Sequence, residues 1–98
     1  MQIVISPSKK TDKKYEARID GKKSIHFGSE GYEDFTIHKD PERKKRYLKR
    51  HESMWEDWSN PLTAGFYATN LLWNKTSLAE SIRDTNRIFP NLTIVYKG

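Results

Sequence analysis

A chain of 98 residues with 35% hydrophobic residues and no cysteine has room for one domain, because half of it could not close an adequate core, and disulfides and thiolate zinc sites are excluded. Its 12% aromatic share must supply much of the buried area, since each ring covers more surface than an aliphatic side chain. The net charge of +5 and isoelectric point near 9.5 favour an acidic partner. No basic leader with an apolar run is present, nor any stretch near the ~20 apolar residues of a membrane span, so the expectation is a protein that neither enters a membrane nor carries a secretion signal.

Ile3, Val4 and Ile5 read as a short strand stopped at Ser6-Pro7, where proline lacks the N–H that pairing requires. Residues 8–14 are polar and lysine-rich and read as a loop. YEARI and KKSIHF then flank Asp20-Gly21, a pair suited to a two-residue type I′ turn because Gly accepts positive φ freely and Asp better than most residues. Tyr15, Ala17 and Ile19 fall on one face of the first strand, and Ile25 and Phe27 on the equivalent face of the second.

After Gly28-Ser29-Glu30-Gly31 the segment from Tyr32 to Lys39 crosses over without a recognisable element. Asp40 is placed as the N-cap of a helix with Pro41 at its first position and Glu42 in its first turn, where the dipole favours an acid. Tyr47, Leu48, His51, Met54, Trp55 and Trp58 recur at helical spacing, which predicts a helix from about Pro41 to Trp58 with one apolar stripe. A second helix is expected over Leu62–Trp73, with Gly65 marking a close approach or a late start. Ser77 and Glu80 fit a capping box opening a third, with Leu78, Ile82, Thr85 and Phe89 on one face and Pro90 as terminator. LTIVY at 92–96 closes as a strand. The expected fold is therefore a single α+β domain over residues 1–98, in the order β-ββ-α-α-α-β: a small antiparallel sheet of three or four strands, covered on one face by three helices.

The charge is concentrated. Residues 39–50 hold seven Lys or Arg against Asp40 and Glu42, a local excess of +5 that equals that of the whole chain. With the apolar stripe turned to the core, Arg43, Lys44, Lys45, Arg46, Lys49 and Arg50 project over ~3 turns, spaced to follow a phosphate track. Like charges such as Arg43 with Arg46 and Arg46 with Arg50 repel, and cations in a first turn oppose the dipole, so a polyanion that neutralises them is favoured over a merely solvated face. Lys22 and Lys23 at the hairpin tip, with Lys9, Lys10, Lys13 and Lys14, extend the same footprint. Flexible lysines carry no base information, so such binding would be salt-sensitive and weakly sequence-specific. Trp55, Trp58 and Trp73 lie in segments with apolar periodicity, where packing competes with base stacking as their role.

Catalytic signatures are missing from the string. His38 with Asp40, and His51 with Glu52, do not make the three or four converging ligands a metal needs, no G-x-S-x-G or paired carboxylates in apolar context occur, and G-S-E-G at 28–31 is neither a P-loop nor a dinucleotide fingerprint. The expectation is a protein that is not an enzyme and holds neither metal nor cofactor. Gly28 and Gly31 suggest special backbone positions, with Tyr32, Asp34 and His38 forming either a buried polar network or a recognition surface.

The combined string FGSEGYEDFTIHKDPERKKRYLKRH, followed by EDW, TAGF, LLWNK and SLAESIRD, resembles a family of small basic uncharacterised proteins encoded by large double-stranded DNA viruses of eukaryotes, over about residues 27–89. That resemblance brings no activity and no catalytic residues. It implies a context: a densely packed viral genome, a particle with many minor proteins, and the host-cell cytoplasm or the virion as location. Together with the charge pattern it leads to the expectation of a viral accessory or virion-associated module binding nucleic acid, DNA first, through phosphates. The alternatives are a minor capsid or scaffold protein docked on an acidic protein surface, and a host-directed effector that sequesters an anionic ligand. Pairing of two copies into a homo-oligomer would double the basic surface, and nothing in the sequence forbids it.

Overall fold

The hairpin organises the sheet. In the computed structural model, which describes residues 1–52 and 58–98, β1 (Gln2–Pro7), β2 (Lys13–Ile19) and β3 (Lys23–Ser29) pair antiparallel in sequence. Asp20 and Gly21 both take positive φ, at 52° and 69°, and the Lys22 N–H donates to the Ile19 carbonyl at 3.0 Å, so the turn closes as expected. The ladder, however, pairs Ile19 with Lys23, leaving Lys22 as a third loop residue. The reason is parity. A two-residue loop would oppose Ala17 to Ser24 and Tyr15 to His26, whereas the observed register opposes Ala17 to Ile25 and Tyr15 to Phe27, putting the apolar sets on one face.

The chain then forms a short helix α1 (Phe35–His38), the basic helix α2 (Pro41–Glu52), α3 (Ala64–Tyr67) running directly into a π-helical turn (Ala68–Leu72), and α4 (Leu78–Ile88) before β4 (Thr93–Tyr96). The expected continuation of α2 through Met54 and Trp55 lies outside the described residues. The second helix starts two residues later than Leu62, with Thr63 as N-cap accepting from the Phe66 N–H, and Ser77 accepts from the Glu80 N–H as the capping motif predicts.

The fold is α+β, with a four-stranded open sheet in the order β3-β2-β1-β4. It is mixed rather than wholly antiparallel, because β4 runs parallel to β1. The N-terminal amine donates to the Asn91 carbonyl and Thr93 N–H to the Met1 carbonyl, so the chain enters β4 beside the beginning of β1. The outer side of β4 is closed by Asn86 of α4, whose amide accepts from the Ile94 N–H at 2.8 Å and donates to the Ile94 carbonyl at 2.9 Å.

The core lies between one face of the sheet, made of odd-numbered residues of β1 to β3 and Ile94 of β4, and α3, the π turn and α4. Ile3, Ile5, Ala17, Ile19, Phe27 and Ile94 meet Phe66, Tyr67, Leu71, Leu72 and Ile82, all buried. No residue of α2 is fully buried, which departs from the expected core-facing stripe: this helix is docked beside the core.

Candidate nucleic-acid interface

The crossover between β3 and α2 is what positions the basic helix. Gly28, with φ +79°, lets the strand bend where an added Cβ would come within 2.9 Å of Leu72 Cδ1, and Gly31 turns at φ +86°. Asp34, 3% exposed, caps α1 by accepting from the Thr36 N–H at 2.9 Å and from its hydroxyl, and pairs with Lys14 Nζ at 2.8 Å. The same ammonium donates to the Tyr32 carbonyl. Lys39 ends α1 in the left-handed region, the Asp40 N–H donates to His38 Nδ1 at 2.9 Å, and the Asp40 carboxylate accepts from the Glu42 N–H at 3.0 Å as the expected N-cap.

The cations of α2 separate into three groups. Lys44 faces inward, with Nζ donating to the Asn74 carbonyl at 2.6 Å and lying 5.0 Å from the centre of the Phe35 ring. Burial, then the nearby Lys75, pushes its ammonium below the usual lysine pKa. Asn74 also donates to Asp84 Oδ2 at 3.0 Å, and this bond, together with the one from Arg87, holds the Asp84 carboxyl below the usual carboxylate range. Lys44 thus leaves the phosphate-facing set assigned from sequence. Its signal was available: Lys44, Tyr47, Leu48 and His51 stand at i, i+3, i+4 and i+7, so the apolar stripe begins with this lysine.

The second group lines a groove. Arg43, Tyr47, Arg50 and His51 of α2 enclose a cleft of about 400 Å³ together with Lys14, Gly28, Ser29, Tyr32, Glu33 and Asp34 from one side and Ala68, Leu72 and Trp73 from the other. Arg43 pairs with Glu33 at 3.2 Å; both side chains are about half exposed. Trp73 stacks on Tyr47 with ring centres 4.1 Å apart and 3° between planes, and Tyr47 stacks on His51 at 4.0 Å. Trp73 also meets the His38 ring, with centres 5.2 Å apart, so this tryptophan has a packing role.

Lys45, Arg46 and Lys49 form the third group. They are exposed, span about 100° of the helix circumference, and make no ion pair among the described residues; Glu42, one turn earlier, pairs with none of them.

The lysines outside α2 also divide. Lys22 and Lys23 are exposed at the hairpin tip, about 20 Å along the seven-residue β3 from the end that meets α2. The loop before β2 lies at the near end: Lys13 pairs with Ser29 and the Glu30 N–H donates to the Asp12 carbonyl. Lys9, Lys10 and Lys13 therefore stand at the end of the sheet whose residues Lys14, Gly28 and Ser29 line the groove, and the hairpin-tip pair at the opposite end. Glu33, whose carboxylate tethers Arg43, went unremarked in the sequence because a single exposed acid has no pattern.

Among the described residues, no group of three or more His, Asp or Glu could hold a metal ion, and no helix is long and apolar enough to cross a membrane. A small domain with a cationic helix docked beside an α+β core, and a groove at the junction, is the class of protein this geometry defines. The chain belongs to a family of unknown function (DUF5754), whose pattern matches residues 3–51. That stretch holds β1 but for Gln2, β2, β3, the crossover and α2 but for Glu52, hence every groove residue except Ala68, Leu72 and Trp73. No curated protein and no solved structure matches the chain.

Proposed function

We propose that this protein is a non-enzymatic viral accessory or virion-associated module that binds nucleic acid, DNA first, through the phosphate backbone. The observation that carries the reading is the outer face of α2, where Lys45, Arg46 and Lys49 stand exposed with no carboxylate of the described chain paired to them. Three phosphate contacts imply a log–log salt slope of about −2.7, roughly a fortyfold loss of duplex affinity between ~50 and ~200 mM salt. The test is a fluorescence titration with DNA and RNA at two salt concentrations, on the wild type and on K45E/R46E. Reversal at these exposed positions weakens binding and leaves the thermal melt unchanged; indifference of the wild type to both nucleic acids in dilute buffer overturns the reading.

A second reading, sequestration of a small anionic ligand, is favoured by one observation: Lys14, Arg43 and Arg50 converge on a concave groove. It ranks lower because Asp34 and Glu33 already pair with the first two. It predicts saturable binding of a mononucleotide that survives K45E/R46E.

A further inference from the structure

Tyr32 differs from every other aromatic residue of the groove. Its side chain is 74% exposed, whereas Tyr47, His51 and Trp73 are engaged in one stack. Its backbone is nonetheless held: the N–H donates to the Ser29 carbonyl at 3.3 Å, the carbonyl accepts from Lys14 Nζ, and the buried Asp34 follows two residues on. The open ring thus stands on a fixed base at a cleft of about 400 Å³, within the ~300–1,000 Å³ range of small-molecule sites. Tyr47, Leu72 and Trp73 are among the apolar residues of the cleft's lining, and Arg43 supplies a cation whose exposed pairing with Glu33 is cheaply exchanged for a phosphate.

We propose that the groove takes an unstacked nucleobase from a single-stranded nucleic acid, stacked on Tyr32, while the flanking phosphates meet Arg43 and the outer cations of α2. This deepens the phosphate-binding reading and rests on it. Stacking on one aromatic ring is tolerant of base identity and unavailable to a base already paired within a duplex, so the site confers a preference for single strands without sequence specificity.

The test is a set of anisotropy titrations with a short labelled oligothymidylate and a duplex of equal length, on wild type, Y32A, Y32W and K45E/R46E, with a nucleoside monophosphate as competitor. The expected result is that Y32A loses roughly five- to a hundredfold in single-strand affinity, that duplex affinity is unchanged, and that Y32W keeps wild-type behaviour. Because Tyr32 is largely exposed, its removal leaves the fold intact, which the thermal melt checks. An equal loss on both nucleic acids, or no loss on either, overturns the stacking site while steep salt dependence of the duplex leaves phosphate binding standing. Displacement of the strand by the monophosphate at comparable concentration overturns the strand assignment in favour of a free nucleotide. Weakening of both nucleic acids by K45E/R46E supports the phosphate reading independently of Tyr32.

Discussion

Lys14 and Asp34 meet at 2.8 Å with side chains only 14% and 4% exposed, and this pair, formed across 20 residues of sequence, ties the start of β2 to the start of α1. Removing the carboxylate alone leaves a mostly buried ammonium without its counter-charge and also deletes the helix cap. Asp34→Ala is expected to cost about 3–5 kcal/mol for the broken pair, and about 1 more for the lost cap. Lys14→Met with Asp34→Asn removes both charges while Asn keeps a capping oxygen, so this double variant should lose less than Asp34→Ala. Urea unfolding of the three proteins checks the order; a double variant as unstable as the single one would show that the pair is not what holds the crossover.

Gly28 and Gly31 share left-handed backbone but differ in surroundings. A methyl at Gly31 meets nothing within 4 Å, whereas one at Gly28 comes 2.9 Å from Leu72 Cδ1 and 3.2 Å from Lys14 Cβ. Both alanine variants should therefore carry about 1–2 kcal/mol of backbone strain, and Gly28→Ala a further ~1–3 kcal/mol of overpacking. The difference between their melting temperatures isolates the close approach. Equal destabilisation would mean that Leu72 yields freely.

Local chemistry was legible in the sequence and tertiary parity was not. The alternation of β2 and β3, the Asp20-Gly21 turn, the Asp40 and Ser77 caps and the closing strand each depend on a few neighbouring residues, so the string announces them. The extra loop residue Lys22 reflects a compromise between turn closure and ladder register that no dipeptide encodes. The direction of β4 is likewise a property of where α4 delivers the chain. At the site, the six cations of α2 look alike in composition; the spacing of Lys44 with Tyr47, Leu48 and His51 marks it as the one on the apolar stripe, while its partners, the Phe35 ring and the Asn74 carbonyl, are brought to it only by the fold. Tyr32, Asp34 and His38 read in the sequence as either a buried polar network or a recognition surface; the structure buries the acid and leaves the Tyr32 ring exposed, a difference that no local pattern in the string announces.

The separation of the lysines makes a spatial prediction about charge reversal. Lys22→Glu with Lys23→Glu alters the far end of the sheet and should leave the affinity for duplex DNA and its salt slope within error of the wild type. Lys45→Glu with Arg46→Glu, of identical net charge change, should lower the slope by about 2, one unit per lost phosphate contact. Lys9→Glu with Lys10→Glu should fall between them, since that loop stands at the end of the sheet that lines the groove but is not part of the helix face. Filter-binding or anisotropy isotherms at several salt concentrations give the slopes. Equal effects from the first two pairs would mean that net charge rather than the helix face governs binding.

Tyr67 provides a pH-dependent test of the core itself. Its ring is fully buried between Phe27 and Phe66, its hydroxyl donates to the Pro61 carbonyl at 2.7 Å, and burial pushes that hydroxyl well above the ordinary tyrosine pKa of 10.0. An acid whose pKa is raised by folding adds stability that is complete below the unfolded value and declines as pH climbs above it, because only the unfolded chain then releases the proton. Tyr15, raised chiefly by burial and then by Tyr96, acts in the same direction. Near neutrality Tyr67→Phe should therefore be less stable than the wild type by about 1 kcal/mol, the net worth of one hydrogen bond. Above pH 10 the wild type should lose stability faster than the variant and the gap should close. Denaturant melts of both proteins at neutral and alkaline pH measure that gap; one that stays constant past pH 10 would mean that the Tyr67 hydroxyl ionises as readily in the folded protein as in the unfolded chain.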